Sequence, residues 1–82
     1  MKLSLYHYFG CSFCGLVRRA IEPLGLDVEL RDILESSECR RELVDATGRQ
    51  TVPCLRIESE AGEVEWKHES RDIIEYLRTL AT

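Results

Sequence analysis

Long hydrophobic runs are absent from this chain. No apolar stretch approaches the roughly 20 residues that a bilayer-spanning helix requires, and the N-terminus lacks the charged, apolar and small-residue regions of a secretory leader. Both absences lead to the expectation of a cytoplasmic protein with no membrane partner. Basic charge is scarce as well: 11 Lys and Arg stand against 15 Asp and Glu, for a formal net charge of -4. Acids run through the second half as Glu58, Glu60, Glu63, Glu65, Glu69, Asp72 and Glu75. No nucleic-acid partner is expected, because displacing counterions from a phosphate backbone takes a basic face. There is no repeat, no low-complexity tract and no linker rich in Pro, Gly or Ser. Eighty-two residues suit one small core, so the chain reads as a single domain over 1–82. Hydrophobic residues at 44% and charged residues at 32% place it among chains that fold.

Cysteine, by contrast, is well represented, at Cys11, Cys14, Cys39 and Cys54. A reducing compartment disfavours a structural disulfide framework and turns attention to catalytic or metal-binding thiols. Cys-X-X-Cys can open a zinc site, but zinc needs a second close pair of Cys or His. Cys39, Cys54, His7 and His68 form no such pair in the sequence, and no metal site is expected.

The coarse organisation follows from periodicity. Leu3, Leu5, Tyr6, Tyr8 and Phe9 form an apolar, aromatic run that reads as a first strand ending at Gly10. From Ser12 to about Leu24, Leu16, Val17, Ala20, Ile21 and Leu24 recur at helical spacing, with Ser12 as the expected N-cap, Gly25 as the stop and Pro23 shortening the last turn. Asp27 to Arg31 alternates Val28 and Leu30 with charge, as a half-buried strand does. Ser36 or Ser37 caps a second helix carrying Cys39, Leu43, Val44 and Ala46, which stops at Thr47-Gly48. Pro53 opens the strand Cys54 to Ile57; a turn at Ala61-Gly62 leads to Val64 to Trp66 as its hairpin partner. A last helix from about Glu69 to Leu80 buries Ile73, Ile74, Leu77 and Leu80, and Trp66 and Tyr76 are expected to fill the core between hairpin and helix. The order is βαβαββα, with the first two strands parallel and an antiparallel hairpin after them.

Cys11-Ser12-Phe13-Cys14 falls where the first strand turns into the first helix. The first sulfur then lies at a helix N-terminus, where unpaired N–H groups and the positive end of the dipole favour a thiolate. The second, one turn inward, can attack a mixed disulfide formed on the first. Between Gly10 and Ile21 the only ionised side chains are Arg18 and Arg19, so no carboxylate opposes the thiolate. His7 has no partner visible in the sequence and carries no assigned role; Cys39 is expected to be inert, and Cys54 a buried structural cysteine.

Combined with Thr51-Val52-Pro53, the Cys-X-X-Cys resembles the glutaredoxins of the thioredoxin fold over nearly the whole chain. The resemblance implies an α/β thioredoxin-like fold, a four-stranded mixed sheet flanked by three helices. It also implies a cis Pro53 beside Cys11, with the Val52 main chain turned outward to pair with the cysteinyl part of a bound glutathione, and with Phe13 and Thr51 in the same site. Glu69-Ser70 resembles the Glu-Ser motif that opens the last helix in the N-terminal domains of glutathione transferases, which implies that these two residues hold the γ-glutamyl end. The chain departs from many glutaredoxins at Ser12 and Phe13, which replace proline and tyrosine, and at Tyr8, which stands where a lysine is usual. Arg49 and Gln50 are the expected substitutes for gripping the glycyl carboxylate.

The function implied is a glutathione-dependent disulfide oxidoreductase, acting as a monomer through Cys11 and Cys14, with glutathione as co-substrate and disulfides or glutathionylated protein thiols as substrates. Serine after the first cysteine also resembles glutaredoxins that bridge a two-iron, two-sulfur cluster between protomers; that carrier role is one alternative, and a redox-inactive glutathione-binding module is another. A transferase acting on hydrophobic substrates would need a second, helical domain, so the chain is expected to be at most the glutathione half of such an enzyme.

Overall fold

The computed structural model describes residues 1–81. In chain order it contains β1 (Lys2–His7), α1 (Ser12–Ile21), a 3-10 turn (Glu22–Leu24), β2 (Val28–Asp32), α2 (Ser37–Thr47), β3 (Cys54–Glu58), β4 (Val64–His68) and α3 (Ser70–Ala81). The strands form one sheet in the order β2-β1-β3-β4. β1 and β2 are parallel, and the β1–β3 and β3–β4 pairs are antiparallel. This is the mixed sheet with three helices that the resemblance implies. No helix among the described residues is long and apolar enough to cross a membrane.

Strand alternation sorts the core onto two faces. Leu3 and Leu5 pair with Ile57 and Leu55, and all four pack against Val17 of α1 and Ile73 and Leu77 of α3. On the opposite face Tyr6, paired with Cys54, packs with Ile33 and with Leu43 of α2. The Tyr6 hydroxyl donates to Glu42 Oε1 at 3.1 Å, and the same oxygen accepts Arg31 Nη1 at 2.6 Å. One carboxylate on α2 therefore ties down both central and edge strands. Burial, with Glu42 accepting its proton, pushes the Tyr6 phenol up to about 12.

Several expectations change. β1 ends at His7 and not at Phe9, because its last partners are Asp32 on β2 and, one residue earlier, Cys54 on β3. Past those partners nothing holds the chain extended, and Phe9 is 64% exposed. α1 gives way at Ile21 to the 3-10 turn that contains Pro23, and Gly25, at φ 67°, closes it in the left-handed region. Leu16, on the outer side of α1, and Leu30, on the edge strand β2, remain exposed. Ile74 and Leu80 are only half-buried, against the α1–α3 side of the core. Trp66 and Tyr76 do not share a core. The Arg56–Trp66 register puts Trp66 on the α2 face, 5.3 Å from the Tyr6 ring, while Tyr76 packs on the other face. Ile33, just past β2, is buried although no periodicity marks it; its N–H donates to the His7 carbonyl at 3.0 Å.

Candidate functional site

Cys11, rather than Ser12, is the N-cap of α1. Its backbone is extended (φ -85°, ψ 118°), and its Sγ accepts the N–H of Cys14 at 3.3 Å. The Cys11 N–H donates to the Tyr8 carbonyl at 3.2 Å, and its own carbonyl takes the Gly15 N–H at 3.0 Å. That turn makes residue 11 the last one outside the helix, so Ser12 is already its first residue. A backbone donor is thus aimed at the outer sulfur, and the first turn of α1 contains no acidic residue.

The two thiols of the motif differ. Cys11 is half-buried and Cys14 wholly buried. Burial pushes the Cys14 thiol up to about 12, reinforced by its hydrogen bond to Cys11 and opposed by a backbone hydrogen bond from Tyr8 and by the charge of Arg18. Only the outer sulfur is within reach of a bulky disulfide; the inner one can meet only what is already bonded to its neighbour.

Opposite the motif, the Val52–Pro53 bond is cis, Pro53 is buried and Thr51 exposed. Glu69 is the sole non-glycine residue among those described with positive φ, at 70°. Such a conformation costs on the order of 1–3 kcal/mol. Its carbonyl accepts the Ile73 N–H at 3.1 Å, so α3 springs directly from it. The first N–H groups of α3 have no intrahelical acceptor and carry the positive end of its dipole.

These three segments meet. Phe13, Thr51, Val52, Pro53, Glu69 and Ser70 line one cleft of about 200 Å³. Six of the eight residues assigned to glutathione binding therefore share a single hollow, and Phe13 contributes to it from the helix that begins at the Cys11–Cys14 motif. Arg49 and Gln50 lie outside that lining. Gln50 borders a separate hollow against α2, with Ser37, Arg40 and Arg41. The charge of Arg49 acts on Cys54 and His68.

Cys54 is buried in the α2-side core, where burial pushes its thiol up to about 12. Its Sγ lies 3.8 Å from His68 Nε2. Cys39 is half-buried against the same core. Among the described residues, no group of three or more His, Cys, Asp or Glu is placed to hold a metal ion.

His7 is the residue that sequence reasoning missed. It is 1% exposed, and its Nδ1 lies 3.0 Å from Arg18 Nη1. The partners are eleven residues apart across the strand-to-helix turn, a separation that no helical or strand periodicity signals.

The architecture is that of a thioredoxin-like protein with a cleft between a Cys-X-X-Cys helix and the cis-proline segment. The family model described as "Glutathione S-transferase, N-terminal domain" matches residues 5–82, and the chain belongs to that family. Among curated proteins none matches. Among solved structures, maleylacetoacetate isomerase from Anaeromyxobacter dehalogenans 2CP-1, with glutathione bound in its active site, is 25% identical with a TM-score of 0.73. The similarity covers 98% of this chain and 38% of that one, so the chain spans little more than a third of the isomerase's length. A glutaredoxin from Brucella melitensis (21% identity, TM-score 0.65) is similar over 98% of this chain and 80% of its own. A thioredoxin-like protein (22%, 0.71) is similar over 99% and 100%.

Proposed function

We propose that this chain is a single glutaredoxin-like domain over 1–82 that uses glutathione to reduce disulfides or glutathionylated protein thiols. The observation that carries the reading is the shared cleft of Phe13, Thr51, Val52, Pro53, Glu69 and Ser70 beside the Cys11–Cys14 helix start. Family membership and the glutathione-bound isomerase structure support glutathione as the ligand.

In this mechanism glutathione lies along the Val52 main chain as an added strand, a mode that holds a peptide without demanding a particular side chain. Thr51 and Phe13 flank it. The γ-glutamyl carboxylate sits on the free N–H groups and hydroxyl at Ser70, and the ammonium on the Glu69 carboxylate. Arg49 and Gln50 reach the glycyl carboxylate from outside the cleft lining. The Cys11 thiolate attacks the glutathione sulfur of a glutathionylated substrate; the substrate thiol leaves and takes a proton, and Cys11 remains in a mixed disulfide with glutathione. A second glutathione thiolate then attacks that disulfide, releasing oxidised glutathione and the Cys11 thiolate, so one glutathione thiol is oxidised for each substrate thiol set free. Alternatively Cys14 attacks Cys11, expelling glutathione and closing a Cys11–Cys14 disulfide. The protein acts as a monomer in both routes.

The test is glutathione-coupled reduction of a small mixed disulfide by wild type, Cys11→Ser and Cys14→Ser. Loss of activity in Cys11→Ser with most activity retained in Cys14→Ser is the expected pattern; an inactive wild type sinks the proposal. The family match favours a second reading, in which the same cleft presents glutathione to an electrophile as part of a larger transferase. Conjugating activity that survives Cys11→Ser would select it. A cluster shared by two Cys11 thiolates and two glutathiones predicts visible absorbance after anaerobic purification.

A further inference from the structure

Beneath the motif lies a cluster that the glutathione cleft does not use. Arg18 stands four residues after Cys14 on α1, the spacing that puts two side chains on one helix face. Its guanidinium folds back towards the motif, with Nη2 only 3.6 Å from where a side chain on Gly15 would begin. Three contacts hold it there. Nη1 lies 3.0 Å from the buried His7 Nδ1 and 3.4 Å from the Tyr8 carbonyl, and the guanidinium covers the Phe9 ring at 4.7 Å. The His7 and Phe9 rings meet edge to face at 4.9 Å. Arginine donates and never accepts, so Nδ1 is the acceptor and the histidine proton sits on Nε2. A neutral His7 thereby fixes a cation whose charge acts on Cys14.

We propose that Arg18, clamped by His7 and the Tyr8 carbonyl, is a positioning residue for Cys14 that lowers the cost of its thiolate and so sets the rate of the dithiol route. This rests on the oxidoreductase reading and deepens it. The step is closure. Cys14 loses its proton to water, its thiolate attacks Cys11 Sγ in the mixed disulfide, the Cys11–glutathione bond breaks, and glutathione leaves as a thiolate that is protonated in solution. Cys14 is oxidised to the disulfide level and the departing glutathione is reduced to a thiol, so the exchange balances with no outside oxidant. The ionisable groups acting on Cys14 are Cys11 and Arg18, and those acting on His7 are Arg18, Asp32 and Glu35. Cys11 in the mixed disulfide carries no charge, which leaves Arg18 as the favourable charge on the inner thiol during closure. The monothiol route, in which glutathione attacks from outside, does not use it.

The experiment loads Cys11 with glutathione by chemical exchange and follows glutathione release by mass spectrometry across pH, for wild type, Arg18→Gln and Arg18→Lys. Monothiol turnover is measured in the Cys14→Ser background with and without Arg18→Gln. We expect Arg18→Gln to slow closure by about two- to threefold at neutral pH and to move its pH profile to the alkaline side, with Arg18→Lys recovering part of the rate. Monothiol turnover should stay unchanged. Arg18 is half-buried at the surface, and thermal unfolding of each variant is recorded beside closure; His7→Leu, which removes the clamp, should reproduce the alkaline move. Unchanged closure in Arg18→Gln overturns the proposal, as does an equal fall in closure and monothiol turnover. Closure is a single turnover on preloaded protein, so it still reads Arg18 when multiple turnover fails, and failure of the oxidoreductase reading shows separately as an inactive wild type.

Discussion

The Sγ of Cys11 accepts the backbone N–H of Cys14 at 3.3 Å, so the residue proposed as the nucleophile also caps the helix that carries it. Structural and chemical roles can therefore be separated by choice of replacement. Cys11→Ser keeps a good capping atom, whereas Cys11→Ala loses the cap at a cost of about 1 kcal/mol. In a domain of this size that is a fall in Tm of about 4–8 °C. Both variants should be inactive in glutathione-coupled reduction, and thermal unfolding should show only the alanine variant destabilised. A serine variant as unstable as alanine would show that the hydrogen bond contributes nothing to the helix.

Burial sorts the remaining thiols. Cys14 and Cys54 are fully buried, and each is pushed up to about 12 by desolvation, while Cys11 and Cys39 are half-buried. Since the thiolate is the nucleophile, brief alkylation of the reduced native protein near neutral pH should modify Cys11 first and leave Cys14 and Cys54 untouched until denaturant is added. Peptide mapping reads this directly; early labelling of Cys54 would place it outside the core described here.

How much of this was legible in the sequence depended on the range of the signal. The βαβαββα order and the stops at Gly25 and Gly48 come from periodicity and turn chemistry, both local, and the structure agrees with them. What failed was decided by pairing between distant segments. Tyr8 and Phe9 look like strand residues, but a strand lasts only as long as its partners, which stop at Asp32 and Cys54. Trp66 looks like a core residue for α3, and only the register against Arg56 turns it to the α2 face. The cleft unites residues from three segments, and it was the family resemblance, not spacing, that pointed to them. His7 and Arg18 belong to no motif, and only the turn at Gly10 brings them together.

Acid should loosen the fold through its histidines. His7 is held below its ordinary value by burial and then by Arg18, and His68 by burial and then by Arg49; Asp32 and Glu35 near His7, and Glu69 near His68, oppose the effect. The folded protein keeps both rings neutral where unfolded imidazoles, near 6.5, have already gained a proton. The unfolded state then binds more protons, and stability rises with pH. This contribution is complete above about pH 6.5 and is lost as pH falls towards the folded-state values. Urea midpoints measured at about pH 7.5, 6 and 5 should fall in that order, and His68→Gln should flatten part of the decline. A midpoint constant across the range would mean that neither ring is neutral by constraint.

Glu69 offers the sharpest contrast between stability and binding. At φ 70° an L side chain is strained, and glycine relieves that strain while adding freedom to the unfolded chain. Strain relief of about 1–3 kcal/mol and an entropic cost of about 1 kcal/mol oppose one another, so Glu69→Gly should be as stable as wild type or up to about 2 kcal/mol more stable. If the carboxylate receives the glutathione ammonium, removing it from a cleft also lined by Ser70 and Val52 should weaken glutathione binding by about tenfold or more. Glu69→Gln, which keeps the backbone and loses the charge, should bind as weakly as glycine. Calorimetric titration with glutathione beside urea unfolding reads both quantities. Undiminished affinity in both variants would reduce Glu69 to the residue that turns the chain into α3, and would leave the γ-glutamyl end to Ser70 and the helix N-terminus alone.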